Sequence, residues 1–289
     1  MAPSINSARC TKCGGCVEIC PAGVYEQKGP KIEPDIVSSN APFCVACGHC
    51  VMRCPTDAIS VPGYSPEKIH ELGKLPEAAE FANLLRGRRS VRSFSDRKVD
   101  RALLGEVISL AAAAPSAHNV QSTEFVVMQS PEALTLVEQY TIEGMQQLSE
   151  AMHNTSMRPM VRRRMRKQFN AAVKALPSVD FDIKEQMAGR HMILHEAPAI
   201  IAFHGQPDMP MANINAQLCI ENALLAMTSM GLGGYYAGWV TIMAPRDKRL
   251  LELLKVPHDH QLFGVVTVGY PRVKLTRWAE RNKPRITWV

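Results

Sequence analysis

The sequence lacks the segments that send a chain into or across a membrane. No apolar run reaches the roughly 20 residues of a membrane-spanning helix. The N-terminal Met-Ala-Pro-Ser is not followed by the basic and apolar regions of a secretory signal. Neither G-x-G-x-x-G nor a Walker sequence is present, so the two commonest nucleotide-binding signatures are missing. We therefore expect a cytoplasmic protein without a membrane partner.

The charge is unevenly distributed along the chain. Residues 1–63 carry equal numbers of basic and acidic side chains, so the formal net charge of +6 lies in the remainder. Six cations fall within residues 158–167. Such a stretch can bind nucleic acid, but no aromatic residue interleaves with these cations, which disfavours that interpretation. A solvated helix face, or a rim that attracts an acidic partner or anionic substrate, is the favoured alternative.

Cysteine is concentrated near the N-terminus. Eight of the nine cysteines lie in two copies of the pattern C-x2-C-x2-C-x3-C-P, which begin at Cys10 and Cys44 and are offset by 34 residues. The repeat resembles two-cluster bacterial ferredoxins, which bind two [4Fe–4S] clusters. Zinc sites usually show two separated C-x2-C pairs, and disulfide frameworks are typical of small secreted chains. Both alternatives therefore fit the repeated run less well.

The ferredoxin resemblance implies a ligand set for each cluster, because in that family the fourth cysteine of each run binds the other cluster. The first implied set is Cys10, Cys13, Cys16 and Cys54. The second implied set is Cys44, Cys47, Cys50 and Cys20. The ninth cysteine, Cys219, lies on an apolar segment and is expected to be a core residue.

Near residue 80 the sequence changes from cysteine-rich loops to alternating helix and strand patterns, and this change predicts two domains. Residues 1–63 form the small cluster domain, 64–79 a proline-punctuated linker and 80–289 a larger domain of alternating helices and strands. The elements expected in the larger domain are helices at 81–87, 101–114, 213–230 and 246–255, strands at 124–128, 197–203 and 261–268, a helical excursion at 140–192, and a Gly-rich turn at 233–240 that leads into a strand.

Four pieces of the larger domain suggest chemistry. They are Arg88-Arg-Ser-Val-Arg92, Ala114-Pro-Ser-Ala-His-Asn-Val-Gln121, Gly231-Leu-Gly-Gly-Tyr-Tyr-Ala-Gly-Trp239 and Lys283-Pro-Arg285. Guanidinium groups suit a phosphate, and small residues let a flat ring approach backbone amides. Each piece is a weak signal alone. Together, in this order and over about residues 80–289, they resemble the nitroreductase family of FMN-dependent flavoproteins.

This resemblance implies an α+β fold, a nitroreductase-like α/β sandwich with a central mixed sheet, and a homodimer with FMN at the subunit interface. The implied FMN contacts are Arg88, Arg89 and Ser90 at the phosphate and ribityl chain, Arg92 near the pyrimidine edge, Pro115, Ser116 and Ala117 from the other subunit, Ala237 and Gly238 as backbone donors near N5 and O4, and Lys283 and Arg285 as a phosphate clamp. The family often has an acidic residue at the position of Ala237, so a side-chain role there is not implied.

The two resemblances together predict an oxidoreductase that uses FMN and two [4Fe–4S] clusters. A reduced ferredoxin or similar carrier, or alternatively NAD(P)H, would supply electrons, and a hydride would pass to a nitroaromatic, a quinone or an activated alkene. No catalytic residue is predicted. The proton donors considered are His118, His191, His195, His204, Tyr235 and Tyr236. Two alternatives stay open: an electron-transfer subunit that serves a protein partner, and a redox-sensing regulator that binds nucleic acid.

Overall fold

The computed structural model describes residues 2–289. The chain forms two compact units. The first runs to Pro76 and includes Ala117–Val120, and the second consists of Glu77–Ser116 and Gln121–Val289. Among the helices of residues 2–289, none is both long and apolar enough to cross a membrane.

The first unit is built from very short elements. They are β1 (Ser4–Ile5), α1 (Gly15–Ile19), β2 (Tyr25–Glu26), β3 (Asp35–Ile36), α2 (His49–Arg53) and β4 (Ile59–Ser60). Strand β1 pairs antiparallel with β4, and β2 pairs antiparallel with β3. A small core, which includes Val24, Tyr25 and Val51, lies between these pairs and the two helices. So few buried side chains supply little hydrophobic stabilisation, and bound metal would add to it.

The second unit contains most of the regular structure. Its elements are α3 (Ala78–Gly87), α4 (Arg101–Ala112), β5 (Glu124–Met128), α5 (Pro131–His153), α6 (Arg158–Met165), α7 (Phe169–Met187), β6 (Ala199–Gly205), α8 (Ala212–Ser229), α9 (Gly238–Met243), α10 (Lys248–Leu253) and β7 (Gln261–Val268). Strands β5, β6 and β7 form an antiparallel sheet in that order. A single parallel bridge joins Ser90 to Gly234.

Strand β6 lies at the centre of the second unit and is buried along its whole length. Successive side chains of a strand point to opposite faces. Ile200 and Ala202 accordingly pack into a core that includes residues of α5 and α9. Ile201 and Phe203 pack into a second core, with residues of α4 and α8. Helices therefore cover both faces of the sheet, which confirms the expected α+β sandwich and explains why the strand is apolar from Ala199 to Phe203.

Several element boundaries follow the sequence signals closely. Asp100 caps α4, because its carboxylate accepts the Ala102 N–H at 2.8 Å. Ser130 caps α5 in the same way, accepting the Ala133 N–H at 3.2 Å. Strands β5 and β7 occupy the predicted ranges 124–128 and 261–268.

The expectation of a strand at the end of the Gly-rich segment is wrong. Gly233 forms an isolated bridge, but the chain turns at Ala237, where φ is −75° and ψ is 75°, and continues as helix α9. These angles are those of an inverse γ-turn, closed by a bond from the Gly238 N–H to the Tyr236 carbonyl at 2.8 Å. Val240 and Met243 then face the core at helical spacing.

The predicted helical excursion consists of the second half of α5 with α6 and α7. Helix α7 packs on α5 through apolar contacts and through one polar group. The Asp180 carboxylate accepts the Ser149 hydroxyl and lies 2.8 Å from His153 Nε2. Helix α5 also packs on α9, so it lies in contact with both helices.

Candidate functional site

The eight N-terminal cysteines gather into two groups of four inside the first unit. The first group lines one cavity and consists of Cys10, Cys13, Cys16 and Cys54. The second lines another cavity and consists of Cys20, Cys44, Cys47 and Cys50. These are the crossed sets that the ferredoxin resemblance implies. All nine cysteines are free, which weighs against a disulfide framework. Four thiols around one small cavity fit a [4Fe–4S] cluster, although ligation by each thiolate stays a prediction.

Local backbone geometry produces this convergence. Gly14 and Gly48 begin the short helices α1 and α2 with φ of +75° and +76°, a region in which other residues are strained. Each helix ends at the fourth cysteine of its run, where Pro21 and Pro55 follow. The chain then turns back, and the Ala58 N–H donates to Cys54 Sγ at 3.2 Å. Such amide donors favour thiolate over thiol.

The two cavities differ in their other lining groups. Arg53 lines the first cavity, beside Gly15. His49 lines the second. The Tyr25 hydroxyl lies 3.5 Å from Cys50 Sγ. Nearby charge and hydrogen bonds to sulfur set the reduction potential of a cluster, so the two cavities offer their clusters different electrostatic environments.

In the second unit, the Arg-rich and Gly-rich pieces pair with each other. The Val91 N–H donates to the Gly234 carbonyl at 3.1 Å, and Ser90 bridges to the same glycine. A Cβ on Gly234 would lie 1.9 Å from the Thr267 carbonyl oxygen, and a Cβ on Gly233 would lie 2.6 Å from Val91. These two glycines are therefore required by the close approach of protein segments. No bound ring is needed to explain them.

Gly238 is different from those two glycines. Apart from its chain neighbours and the backbone of its own helix, no heavy atom of the described residues lies within 4 Å of the position of its Cβ. It lines an open cleft of about 510 Å³, which we call the polar cleft. The lining residues are Arg92, Asp182, Met192, Ile193, His195, Tyr235, Tyr236, Gly238, Trp239 and Ile242. A volume of this size suits a small molecule or a cofactor.

Charge and proton donors converge on the polar cleft. The Arg92 guanidinium lies 5.1 Å from the centroid of the Tyr235 ring, and His195 packs edge-on against that ring at 5.5 Å. Burial, with a smaller contribution from Arg92, lowers the pKa of His195. His195 is therefore neutral at pH 7 and retains one N–H donor. Arg92 supplies a permanent positive charge in the same cleft.

The hydroxyl groups of Tyr235 and Tyr236 both donate hydrogen bonds to backbone carbonyls. The Tyr235 hydroxyl donates to the Ile193 carbonyl at 2.6 Å, and burial raises its pKa. The Tyr236 hydroxyl donates to the Phe263 carbonyl at 2.9 Å. Neither is placed as a free proton donor, although both rings line the cleft. Of the residues considered as donors in this cleft, His195 remains, as a hydrogen-bond donor.

A buried carboxylate holds the segment that carries His195. Glu138 of α5 is 7% exposed, and it accepts the Leu194 N–H at 3.0 Å. Its other oxygen lies 2.8 Å from His191 Nδ1, and this hydrogen bond raises the pKa of His191. His195 and Glu196 adopt positive φ in the same segment. Glu138 of α5 therefore positions a wall of the polar cleft.

A second cavity adjoins the polar cleft. It has a volume of about 310 Å³ and is mostly apolar, and we call it the apolar cavity. Its lining residues are Leu148, Met152, Met165, Gln168, Ala171, Ala172, Ala175, Leu176, Val179, Trp239, Ile242 and Arg246. Trp239 and Ile242 line both spaces. The indole N–H of Trp239 donates to Asp182 at 2.9 Å, which fixes the ring between them.

Only some of the residues predicted to contact FMN line the polar cleft. Arg92 and Gly238 line the polar cleft, and Arg88 lies 3.5 Å from Glu221 of α8. The Ala237 N–H donates to the Val265 carbonyl at 2.7 Å and the Gly238 N–H to the Tyr236 carbonyl at 2.8 Å, so both amides have partners within the protein. Of the two residues, Gly238 lines the cleft. Arg89 lies one position from Arg88 and is half-buried.

The other predicted FMN residues do not join the polar cleft in the single chain. Pro115 is exposed, and the Ser116 hydroxyl accepts the Gln121 N–H at 3.0 Å. Ala117 belongs to the first unit, in which Asn119 donates to the Ala46 carbonyl at 2.7 Å. Lys283 and Arg285 lie in an exposed tail without helix or strand. Their assignment to FMN stays a prediction that requires a second subunit.

Sequence reasoning missed Asp182 and gave no role to Trp239, the last residue of the Gly-rich piece. The sequence signal for the pair was weak, because the two residues are 57 positions apart and meet only in the tertiary fold. An indole that opens a short apolar helix directly after a Gly-rich turn was the available clue.

Comparisons with known proteins agree with this geometry. The family model for the nitroreductase family matches residues 85–270, and the model for a 4Fe-4S dicluster domain matches residues 9–59. The chain is 26% identical over 196 residues to a protein of Archaeoglobus fulgidus named as an NADH dehydrogenase/NAD(P)H nitroreductase. That match covers 67% of this chain and 86% of the relative.

Two further relatives extend the comparison. A Streptococcus pyogenes protein named as an NAD(P)H nitroreductase is 29% identical over 197 residues, 66% of this chain and 90% of the relative. A nitroreductase of Bacteroides fragilis, solved with bound FMN, superposes with a TM-score of 0.53 at 18% identity, covering 74% of this chain and all of that one. At that identity the superposition establishes the fold. Because its family model covers more than half of the chain, the protein belongs to the nitroreductase family of oxidoreductases and carries a 4Fe-4S dicluster domain at residues 9–59.

Proposed function

We propose that this protein is an FMN-dependent oxidoreductase that receives single electrons through two [4Fe–4S] clusters and reduces a small organic substrate by hydride transfer. The observation that carries the proposal is the polar cleft, where Arg92, His195 and the open face of Gly238 meet. It occurs in the same chain as two cavities that are each lined by four free cysteines.

The residues of the polar cleft fit a flavin. Gly238 leaves open space where any other residue would place a side chain, so a flat ring can approach the backbone there. Arg92 offers a fixed cation for the negative charge of a reduced ring. Trp239 and Tyr236 provide aromatic surface on the cleft wall. When bound, FMN supplies hydride chemistry and converts one-electron supply into two-electron reduction.

The chain's own groups set the course of the reaction. Arg92 stabilises developing negative charge in the cleft. His195, neutral because burial lowers its pKa, can donate the hydrogen bond that orients a substrate oxygen, and water supplies the proton of the reduced product. Asp182 holds Trp239 in place through the indole N–H. These residues bind and orient, and the redox chemistry belongs to the bound group.

The apolar cavity supports a substrate with an apolar part. Its wall is shared with the polar cleft at Trp239 and Ile242, so a ring or chain that starts at the cleft has an apolar space beside it. Nitroaromatics, quinones and activated alkenes all combine an electron-poor polar group with such a part. We therefore assign the polar end of the substrate to the polar cleft and the apolar end to this cavity.

The exposed tail supports a homodimer. Residues 274–289 form no helix or strand, all of these described residues are exposed, and several are large and apolar. They are Leu275, Trp278, Ile286, Trp288 and Val289. A second copy of the chain would cover this surface and would bring Lys283, Arg285 and the loop at 115–117 to an FMN site.

The test begins with cofactor content. Protein purified without oxygen should contain about eight iron atoms, from two [4Fe–4S] clusters, and one FMN per chain. Stepwise reduction with dithionite should bleach the iron–sulfur absorption and the flavin absorption, and a quinone or nitroaromatic should restore both. Iron without flavin would contradict the proposal, as would zinc in place of iron.

The electron donor is tested on the same preparation. Reduced ferredoxin and NAD(P)H are compared as donors, each with wild-type protein and with a Cys54→Ala variant. If electrons enter through the clusters, the ferredoxin-driven rate should fall in the variant. Equal rates in both proteins would instead place electron entry at the flavin, with NAD(P)H as the donor. Rapid electron transfer to a protein acceptor, with no small-molecule turnover, would identify an electron-transfer subunit.

A further inference from the structure

Two histidines and a glutamate meet at one end of the sheet in the second unit. Glu124 is the first residue of β5, His204 lies near the end of β6, and His260 immediately precedes β7. Each offers one ligand atom, and the three atoms lie within 4.8 Å of one another. None of the three is among the described residues that line the polar cleft or the apolar cavity, so the proposed function does not account for them.

An irregularity in the strand pairing aims His204 at His260. Along β6, Phe203 pairs with Gly264, but the next residue, His204, pairs with Leu262, so the residue Phe263 is extra on β7. A bulge of this kind re-aims the side chains next to it. On the other side of β6, His204 stays in register with Glu124. The sheet therefore brings all three side chains to one place by backbone pairing.

The distances suit a shared ion. His204 Nδ1 and His260 Nδ1 are 2.9 Å apart. Glu124 Oε1 lies 3.9 Å from the other ring nitrogen of His260, Nε2, so this distance does not join two ligands of the same ion. With one ligand atom taken from each residue, the three atoms lie within 4.8 Å of one another. Ligand atoms about 2.0–2.1 Å from a tetrahedral zinc ion are about 3.3 Å apart. The Glu124 side chain is 61% exposed, so a rotation of its carboxylate can close the remaining gap.

Burial also suits metal binding. His204 is 3% exposed. The His260 side chain is 9% exposed, whereas Glu124 opens to solvent and provides an entry path.

We propose that Glu124, His204 and His260 form a binding site for a divalent transition-metal ion of the Zn²⁺ type. Two imidazoles and a carboxylate are a zinc ligand set, and water would complete the tetrahedron. Each imidazole binds through one nitrogen and keeps its proton on the other. The ion would tie β5, β6 and the loop before β7 together where the β6–β7 register shifts. It is a site separate from the cysteine cavities and from the polar cleft.

Zinc binding to the full-length holoprotein tests this proposal. The protein, with its iron retained, is dialysed against micromolar Zn²⁺ in millimolar Mg²⁺, and zinc and iron are then counted per chain. Wild type should bind one zinc with no loss of iron. His260→Gln should weaken binding at least tenfold. His258→Gln removes an exposed histidine two residues earlier on the same loop and should bind zinc as wild type does.

Thermal unfolding provides a second readout that does not depend on activity. Zn²⁺ should raise the Tm of wild type and of His258→Gln. It should leave the Tm unchanged in Glu124→Gln, whose exposed side chain can be replaced without disturbing the core. The proposal is overturned if zinc binds all variants equally, if zinc appears only as iron is lost, or if wild type binds none. In the last case the histidine pair is a hydrogen bond only.

Discussion

Replacing Gly238 by alanine gives the sharpest test of the polar cleft. Gly238 is the first residue of α9, its φ lies outside the left-handed region, and no described heavy atom is within 4 Å of the position of its Cβ. Alanine therefore fits the protein without a clash. By restricting the unfolded chain it should leave stability unchanged or slightly higher. The added methyl group projects into space that the proposed function assigns to the flavin.

The size of the expected effect follows from what the methyl group displaces. The Gly238 N–H donates to the Tyr236 carbonyl, so the loss falls on dispersion contacts and not on a backbone hydrogen bond. Each displaced atom pair is worth about 0.1–0.2 kcal/mol, so losing about ten of them costs about 1–2 kcal/mol. At about 1.4 kcal/mol per tenfold, the affinity for FMN should fall by about 5- to 30-fold. The measurement is FMN retained per chain through a dilution series, with the Tm recorded in parallel.

The control is Gly105→Ala, because Gly105 lies inside α4 and also has no described atom within 4 Å of its Cβ position. It should retain FMN as wild type does and gain about 0.5–1 kcal/mol of stability. Retention of FMN by Gly238→Ala within twofold of wild type, at an unchanged Tm, would refute the placement of the flavin. A large fall in Tm would show that the space is not open.

Three further predictions address the clusters and the substrate. Cys54→Ala should remove the cluster that shares a cavity with Cys10, Cys13 and Cys16 and should leave the other cluster in place, as measured by iron content and electron paramagnetic resonance. Cys219→Ala, in the core, should leave the iron content unchanged. Loss of the cluster in the other cavity would contradict the crossed ligand sets. Arg53→Gln removes the cation from the same cavity and should lower the reduction potential of that cluster alone, by about 20–60 mV, in an anaerobic potentiometric titration; an equal shift in both clusters would contradict it. Ala175→Leu narrows the apolar cavity and should raise KM for a bulky nitroaromatic severalfold while leaving a small quinone unaffected, and equal changes for both would remove the cavity from the substrate site.

Local signals in the sequence predicted local structure well. Strand β7 could be read from its β-branched run and the Gly-Tyr-Pro that follows it. The start of α4 could be read from Asp100, whose carboxylate caps the helix. In both cases the residues that fix the element lie within a few positions of it. The segment after Ala237 was predicted wrongly as a strand, because a short apolar run does not distinguish a strand from a helix.

The chemistry of the site depends on contacts that no local signal encodes. The sequence presents Tyr235 and Tyr236 as proton donors, but each hydroxyl is taken by a carbonyl at least 27 positions away. The glycines before them illustrate the same limit. Gly234 and Gly238 look alike in the sequence, yet a Cβ on the first would collide with Thr267 whereas a Cβ on the second would meet open space. Only the tertiary fold separates a glycine required by packing from a glycine available to a ligand, and this is why Gly238→Ala is the more informative substitution.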